Sequence, residues 1–295
     1  MGGREGERAG AALPTTASAV GGSTVKIAVL GCAGRMGRAV MAQVLASDGL
    51  ELCGGLESSG HAALGQDLGS LAGVAPIGIA ASDDEQLIAA ADTVIEFSTP
   101  EVSLRHAAIS AAHGTAHVIG TTGLSADQAA ELARTAERTP IVWAPNMSLG
   151  VNLLLGLTEQ VARALGPEAF DIEVVEIHHK HKVDAPSGTA LALGLAAARG
   201  RGVMLDQVAA RGRDGLTGPR VDGTIGFAAL RGGDAVGDHS VIFAGAGERI
   251  ELVHRASDRR IYARGAVHAA RWVRDRAPGL YGMADVLGMA SGDAA

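Results

Sequence analysis

The sequence has little of several residue types, and each shortage disfavours a class of protein. Aromatic residues make up 3% of its 295 residues, and there are two cysteines, Cys32 and Cys53. Two cysteines are too few for a disulfide framework, and no apolar run reaches the roughly 18 residues that a membrane-spanning helix requires. The formal net charge is −7, which disfavours nucleic acid as a partner because a phosphate backbone binds basic surfaces. We therefore expect a cytoplasmic protein with neither a membrane nor a nucleic-acid partner.

The chain does contain enough apolar material for a large core, since hydrophobic residues make up 47% of it. Its length suits two domains of roughly 150 residues each. The first 23 residues are small, polar and glycine-rich, and they lack the compact apolar stretch of a secretory signal. We expect residues 1–23 to be a disordered tail or the product of an over-long start assignment.

Short apolar segments typical of strands alternate with helical segments over residues 24–148. This alternation predicts right-handed βαβ units around a parallel sheet. The predicted strands are 25–31, 50–57, 92–98, 117–123 and 140–146, and the predicted helices are 35–47, 100–113 and 125–137, the last with Ser125 as its N-cap.

The pattern changes after residue 148. Three segments between residues 223 and 256 have the alternation and glycine turns typical of antiparallel strands. The chain is therefore expected to combine an α/β domain, an inserted α+β domain and a C-terminal return. The other predicted elements are a helix over 151–165, a strand over 170–179, a helix over 187–199, a loop over 200–224 and a helix over 262–274.

A glycine loop joins the first predicted strand to the first predicted helix. Gly31, Gly34 and Gly37 permit a tight turn and a close backbone approach to a pyrophosphate lying at the helix N-terminus. Glu57 ends the next strand, about 20 residues further on, where an acid holds a ribose hydroxyl. The context favours a dinucleotide site, and the alternative is a tight βα turn that binds nothing.

The residue after Glu57 bears on the choice of cofactor. A carboxylate favours NADH, whereas an arginine beside it favours the 2′-phosphate of NADPH. The next residue is Ser58, so we favour NADH. Arg35 or Arg38 nevertheless leaves NADPH open.

Two further segments follow predicted strands at the edge where open α/β sheets bind ligands. From spacing alone, two ordinary βα loops explain them equally well. The segments are Gly120-Thr121-Thr122-Gly123 and Ala144-Pro145-Asn146-Met147.

The segment HHKHKVDAPSGT (178–189) holds the densest group of reactive side chains. If it is extended, its two-residue period places His178, Lys180 and Lys182 on one face. A helix beginning over 187–189 would then offer free N–H groups to an anion. Lysine donates to a carboxylate or an imine nitrogen, and histidine transfers protons near neutral pH. Together these groups suit a small dicarboxylate substrate.

Two other interpretations of this segment compete. One is a zinc site, which is disfavoured because interleaved lysines repel a cation and no further ligand lies at a familiar spacing. The other is a solvated basic strand end, which accounts for Lys180 and His181 individually.

Several motifs together resemble the 4-hydroxy-tetrahydrodipicolinate reductase (dihydrodipicolinate reductase) family of the diaminopimelate route to lysine. The resemblance covers about residues 25–287, and HHKHKVDAPSGT alone is almost a family signature. The motifs are GCAGRMG, FSTP (97–100), GTTG, APNMS, HHKHKVDAPSGTA, GTIGFAALRGGDAVGDH and ERIELVHRASDR.

The resemblance implies a fold and an assembly. The fold class is α/β, a Rossmann-like doubly wound parallel sheet with a second α+β substrate domain built on an open mixed sheet. Residues 24–148 and 259–295 would bind the dinucleotide, and residues 149–258 would bind substrate and assemble a homotetramer.

The resemblance also implies roles for individual residues. His178 matches the proton donor or acceptor and Lys182 the second donor, while His179, Gly188 and Thr189 match substrate contacts. NADH or NADPH is the implied cofactor, and no metal is expected. The residues matching cofactor contacts are Gly31, Cys32, Ala33, Gly34, Arg35, Met36, Glu57, Gly120, Thr121, Thr122, Ala144, Pro145, Asn146 and Met147.

The implied reaction begins with loss of water from the cyclic hydroxy-imine, which gives a conjugated imine. Hydride then adds at C4, and a protonated group quenches the charge on nitrogen. Pyridine-2,6-dicarboxylate should mimic the unsaturated intermediate. Ser58 departs from relatives that carry arginine there, which puts an NADPH preference in doubt.

Two rival functions stay open at this point. One is a dehydrogenase of the same fold acting on a sugar or an amino acid, although the Glu-Lys-Pro usual in the sugar group is absent. The other is a dinucleotide-sensing protein without turnover, which would have no need of proton-donating side chains beside an anion site.

Overall fold

The computed structural model describes residues 24–289. The expectations for residues 1–23 and 290–295 lie outside the described residues. In chain order, the elements up to residue 164 are β1 (Val25–Leu30), α1 (Arg35–Leu45), β2 (Leu50–Leu56), α2 (Leu68–Leu71), α3 (Leu87–Ala90), β3 (Thr93–Glu96), α4 (Pro100–His113), β4 (Ala116–Ile119), α5 (Ala126–Ala136), β5 (Pro140–Trp143) and α6 (Leu149–Ala164). They are followed by β6 (Phe170–His178), α7 (Gly188–Arg201), α8 (Leu205–Val208), β7 (Ala209–Arg211), β8 (Ile225–Arg231), β9 (Gly237–Gly245), β10 (Glu248–Ala256), α9 (Arg260–Val273), β11 (Gly279–Tyr281) and α10 (Met283–Val286).

Six parallel strands form the first sheet, in the order β11-β5-β4-β3-β1-β2. Alternate residues of β1 enter different cores: Ile27 and Val29 pack with α1 and α9, whereas Ala28 and Leu30 pack against α3. Helices thus cover both faces, as parallel sheets require. The chain passes from β1 to β2 on one side and to β3 on the other. A topological switch point therefore lies between β1 and β3, where such sheets bind ligands.

Five strands form the second sheet, in the order β10-β9-β6-β8-β7. Strands β6, β9 and β10 are antiparallel neighbours, but β8 runs parallel to both β6 and β7. The expectation of three antiparallel strands was therefore wrong for β8, because the turn after it leads β9 to the far side of β6. The sheet is mixed and open, which confirms the predicted fold class.

Helices α6 and α7 cover one face of the second sheet. Leu193 and Ala197 of α7 pack on Val174, Phe227 and Phe243 of the sheet in one buried core. The residues on the opposite face are more exposed. The two-residue period of β6 therefore separates a row facing the helices from an open row.

The C-terminal return belongs structurally to the first sheet. Strand β11 pairs with β5, and α9 packs against α1, β3 and β4. At Gly265 a Cβ atom would lie 1.6 Å from the carbonyl oxygen of Met147. This close approach holds the loop after β5 in place beside the second sheet.

Two regions contain more structure than the sequence predicted. Residues 57–92 form the short helices α2 and α3, and residues 200–224 contain α8 and β7 rather than loop alone. The N-cap prediction at Ser125 was correct, because its side chain accepts from the backbone N–H of Gln128 in a complete capping box. Within residues 24–289, no helix is long and apolar enough to cross a membrane.

Candidate active site

Two adjoining cavities lie at the carboxyl edge of the first sheet, and Phe97 lines both. The main cavity, about 860 Å³, lies between the two sheets. The glycine-loop cavity, about 700 Å³, lies over the ends of β1, β2 and β3. The predicted site residues that line the main cavity are Arg35, Met36, Gly120, Thr122, Pro145, Asn146, Met147, His178, His179, Lys182, Gly188 and Thr189, and those that line the glycine-loop cavity are Gly31, Gly34 and Glu57.

The glycine loop has the geometry that its sequence predicted. Gly31 has a φ of 72°, a left-handed conformation that L residues rarely adopt. A Cβ at Gly37 would lie 2.1 Å from the Gly31 carbonyl oxygen, so only glycine lets α1 start so close to β1. Gly34 is the N-cap and makes no side-chain capping bond. The first N–H groups of α1 therefore remain available to a phosphate.

The Cys32 side chain turns away from both cavities. It is buried in the first-sheet core, and its N–H donates to the carbonyl of Leu56 at 3.1 Å. Burial first, and then the charge of Glu57, raise the pKa of the thiol to about 11. The structure does not place the Cys32 side chain at the site.

Glu57 is held against the glycine loop. Its Oε2 accepts from the N–H of Ala33 at 3.1 Å, and its Oε1 accepts from the N–H of Ser58 at 2.9 Å. Each carboxylate oxygen accepts more than one bond, so capacity remains for ribose hydroxyls. Ala33 lines neither cavity, and its contribution is this contact.

The loops after β4 and β5 also contain both residues that line the main cavity and residues that are buried behind it. Thr121 is buried, and its Oγ1 accepts from the N–H of Ser98 at 3.1 Å and bonds Ser103 Oγ at 2.7 Å. Ala144 is also buried. These two residues support their loops from behind, while their neighbours line the main cavity. Asn146 joins the loop after β5 to the start of α7, because its Nδ2 donates to Thr189 Oγ1 at 3.3 Å.

The histidine segment is not extended beyond His178. Strand β6 ends there, and a turn follows in which the N–H of Lys182 donates to the carbonyl of His179 at 3.1 Å. This turn brings His178, His179 and Lys182 to the main cavity and leaves Lys180 and His181 exposed. The two-residue period therefore failed after the strand end, and Lys180 does not share the face of His178.

The charges around the main cavity suit the binding of an anion. Lys182 Nζ lies 2.8 Å from Asp184 Oδ1, and that bond lowers the pKa of the Asp184 carboxyl. Desolvation, followed by the charge of Arg259, lowers the pKa of His179. His179 is thus a neutral hydrogen-bonding group at neutral pH, and the cavity's positive charge comes from lysine and arginine.

Several site residues escaped the sequence reasoning. Arg259, Tyr262 and Phe97 line the main cavity but lie far along the chain from the histidine segment. Glu176 and His239 are buried beside His178. The two-residue period of β6 already put Glu176 on the same face as His178, so this one signal was present in the sequence.

A second buried carboxylate lies under the loops of the first sheet. Glu96 Oε1 and Oε2 accept from His106 Nδ1 at 2.8 Å and His117 Nε2 at 3.1 Å, and Ser98 Oγ donates at 2.5 Å. Burial opposes ionisation of Glu96, but these bonds outweigh it and lower its pKa to about 2. Through Ser98 and Thr121 this network connects the loops after β3 and β4.

The fold and the site together define a dinucleotide-dependent oxidoreductase, with a glycine loop on the first sheet and histidine and lysine side chains at the end of β6 in the second. The model "Dihydrodipicolinate reductase, N-terminus" matches residues 25–147, and "Dihydrodipicolinate reductase, C-terminus" matches residues 150–287. The chain belongs to the dihydrodipicolinate reductase family, which confirms the resemblance seen in its motifs.

Relatives of known name agree. A 4-hydroxy-tetrahydrodipicolinate reductase of Parvibaculum lavamentivorans is 56% identical over 267 residues, which cover 90% of this chain and 98% of the relative. One from Rhodopseudomonas palustris (strain BisB18) is 53% identical over 268 residues, with 90% and 98% covered. Both span nearly the whole of the relative.

Solved structures show how widely the fold is shared. A dipicolinate-bound dihydrodipicolinate reductase from Paenisporosarcina sp. TG-14 has a TM-score of 0.71 at 23% identity, over 88% of this chain and 97% of that one. A myo-inositol dehydrogenase from Corynebacterium glutamicum ATCC 13032 has a TM-score of 0.51 at 16% identity, over 87% and 90%. The fold therefore does not distinguish between the two activities, and the side chains at the site have to do so.

Proposed function

We propose that the protein reduces 4-hydroxy-tetrahydrodipicolinate, through its dehydrated conjugated imine, to tetrahydrodipicolinate in the diaminopimelate route to lysine. One observation carries the proposal. The main cavity is lined both by the start of α1, where the glycine loop ends, and by His178, His179 and Lys182 of the second sheet. A substrate bound there would lie between a cofactor and groups able to transfer protons.

The residues present fit a nicotinamide dinucleotide. The glycine loop offers unpaired N–H groups to the pyrophosphate, and Glu57 offers carboxylate oxygens to the adenosine ribose. The loops containing Gly120, Thr122 and Asn146 would hold the nicotinamide end. When bound, this cofactor supplies the hydride.

We favour NADH over NADPH. The Glu57 carboxylate is fixed toward the glycine loop by Ala33 and Ser58, where it would repel a 2′-phosphate. Arg38 is engaged with the carbonyl of Ala33 through its Nε at 2.9 Å. A kcat/KM with NADPH well above that with NADH would overturn this preference.

The substrate groups divide between charge and backbone. Lys182 and Arg259 line the cavity as cations. Ser187 caps α7 by accepting from the N–H of Ala190 at 3.2 Å. The N–H groups of Gly188 and Thr189 have no helical partners because these residues begin the helix. These cations and N–H groups suit the two carboxylates of the substrate.

The chain's part in the reaction is to supply a proton. Reduction leaves negative charge on the ring nitrogen, and His178 or Lys182 would protonate it from the cavity wall. The lysine has three donor hydrogens, so it can keep its bond to Asp184 and still donate to the substrate.

The proposal includes a division of labour and an assembly. Residues 24–148 and 259–289 would bind the dinucleotide, and residues 149–258 would bind substrate and form a homotetramer in the cytoplasm. The assembly is supported by the open face of the second sheet, which carries apolar side chains that include Leu230 at 52% and Val253 at 40% exposure. Light scattering in solution would measure the assembly. Other apolar residues of this face are Val175, Ile177 and Ile242.

The test is a steady-state assay with freshly generated 4-hydroxy-tetrahydrodipicolinate and either NADH or NADPH. We expect oxidation of the cofactor that depends on the substrate and is inhibited by pyridine-2,6-dicarboxylate. Cofactor binding without turnover would indicate a sensor. Turnover of a sugar or an amino acid instead would indicate one of the other dehydrogenases of this fold.

A further inference from the structure

Glu176 is a buried carboxylate beneath the main cavity that the proposed reaction leaves without a role. It lies two residues before His178 on β6, so both side chains lie on the same face of the strand. The side chain is 1% exposed, and its Oε2 lies 2.5 Å from His178 Nδ1. A carboxylate removed from water needs hydrogen-bonded partners to remain charged.

Glu176 has these partners. Arg231 lies opposite His178 in the parallel register of β8 and binds the carboxylate in bidentate fashion, Nη1 to Oε2 at 2.8 Å and Nη2 to Oε1 at 2.9 Å. The N–H of Ser187 donates to Oε1 at 3.1 Å. Burial opposes ionisation, but the bonds from Arg231 and His178 outweigh it and lower the pKa of Glu176. The group is an anion at neutral pH.

An ionised carboxylate only accepts hydrogen bonds, so His178 must carry a proton on Nδ1. In its neutral form the ring then presents an unprotonated Nε2. That atom makes no hydrogen bond among residues 24–289, and it lies beside Gly237, where a Cβ would come within 2.8 Å of it. The ring lines the main cavity, so Nε2 is the nitrogen that exchanges a proton there.

A neighbouring histidine does not compete for this role. His239 of β9 packs edge-on to His178 with ring centroids 5.0 Å apart, and its Nε2 lies 3.0 Å from Ser187 Oγ. Burial, followed by the charge of His178, lowers the pKa of His239 to about 4. His239 is therefore neutral near pH 7 and packs against His178 without exchanging charge with it. Glu176 is the anion paired with His178.

We propose that Glu176, held by Arg231, is a positioning residue that fixes the tautomer and orientation of His178 and ties it to the anion-binding start of α7. This inference rests on the proposed function. The arrangement follows the logic by which a third group orients the base in nucleophile–base pairs. Protonation of Nε2 gives an imidazolium that remains paired with the carboxylate, and Glu176 keeps its charge throughout.

The test replaces the carboxylate by an amide of the same shape. Glu176→Gln should lower kcat by about 10²-fold, the scale of a positioned acid or base, with a smaller change in KM. It should also move to lower pH the limb of the pH–kcat profile that disappears in His178→Gln, because losing the anion disfavours imidazolium. The charged or titratable groups that face His178 are Glu176 on β6, Arg231 on β8, His239 on β9, His179 and Lys182 in the following turn, and Arg259 before α9.

The same strand provides a matched control. Glu173 is also a carboxylate paired with arginines, Arg213 and Arg220, but it lies in the row that faces away from the cavity. Glu173→Gln should leave kcat and the pH profile unchanged. A generic effect of removing an ion pair from β6 would alter both variants alike, and that result would overturn the positioning role.

The outcomes distinguish a wrong role for Glu176 from a wrong proposed function. If the wild type is active and Glu176→Gln keeps its kcat and pH profile, the role of Glu176 is wrong and the proposed function stands. If the wild type does not turn over the substrate, the proposed function itself fails. If Glu176→Gln does not fold, Glu176→Asp replaces it. It should lower kcat while keeping the pH limb, and wild-type kcat in that variant overturns the inference.

Discussion

The stability of the first sheet should depend on pH through Glu96. In the folded protein the pKa of this carboxyl lies at about 2, against an ordinary value of 4.5. At about 1.36 kcal/mol per pKa unit, the difference corresponds to about 3 kcal/mol of folding free energy. Because the folded pKa is depressed, this stabilisation is present above about pH 5 and is lost as pH falls toward 2.

Glu96→Gln removes the ionisable group while keeping its shape. Linkage then predicts that the variant is less stable than the wild type by about 3 kcal/mol at pH 6 and by only about 1 kcal/mol at pH 3. Urea unfolding followed by far-UV circular dichroism at the two pH values measures this change in the difference. Comparing the variant with the wild type at each pH cancels the contributions of all other carboxylates.

Glu131→Gln is the matched control, because Glu131 is an exposed carboxylate on α5. We expect its effect to be within about 0.5 kcal/mol at both pH values. A cost of Glu96→Gln that is equal at pH 6 and pH 3, or larger at pH 3, would refute the reasoning. Such a result would mean that the folded protein does not favour the ionised form of Glu96 over the protonated one.

Three further predictions concern the site. His178→Gln should lower kcat by about 10²-fold or more while leaving NADH affinity within about twofold; an unchanged pH–rate profile would count against proton transfer by His178. Lys182→Ala should reduce turnover far more than the melting temperature, since its side chain lines the cavity, and near-normal turnover would remove it from the mechanism. Gly37→Ala should cost about 1–3 kcal/mol by overpacking and weaken NADH binding, because its Cβ would lie 2.1 Å from the Gly31 carbonyl oxygen. Gly54→Ala, whose nearest contacts would be at an ordinary 3.7 Å, serves as its control, and equal NADH affinity in both variants would contradict the glycine-loop assignment.

Local features were predictable where all the residues that form a feature lie in one short segment. The glycine loop, the acid at the end of β2 and the cap of α5 each depend on residues close together in sequence. Their geometry follows from backbone sterics and from N–H groups that any helix start leaves free. The structure places these features as the sequence predicted.

Predictions failed where a pattern was extended past the end of its element. The two-residue period holds through β6, but the chain turns after His178, so Lys180 leaves the face and Lys182 returns to it. Likewise, β8 is flanked by glycines typical of turns between antiparallel strands but pairs in parallel with β6. Alternation reports which face is buried, and strand direction depends on where the neighbouring strand lies.

The sequence by itself determined the family and the α/β class and indicated candidate site residues, because these depend on local patterns and on side-chain type. Only the tertiary structure decided which of those residues meet. Arg231 and His239 reach His178 across strand pairings, and Arg259 reaches the cavity from the start of the C-terminal return. Such contacts are set by register and packing between distant segments. No short stretch of sequence contains that information.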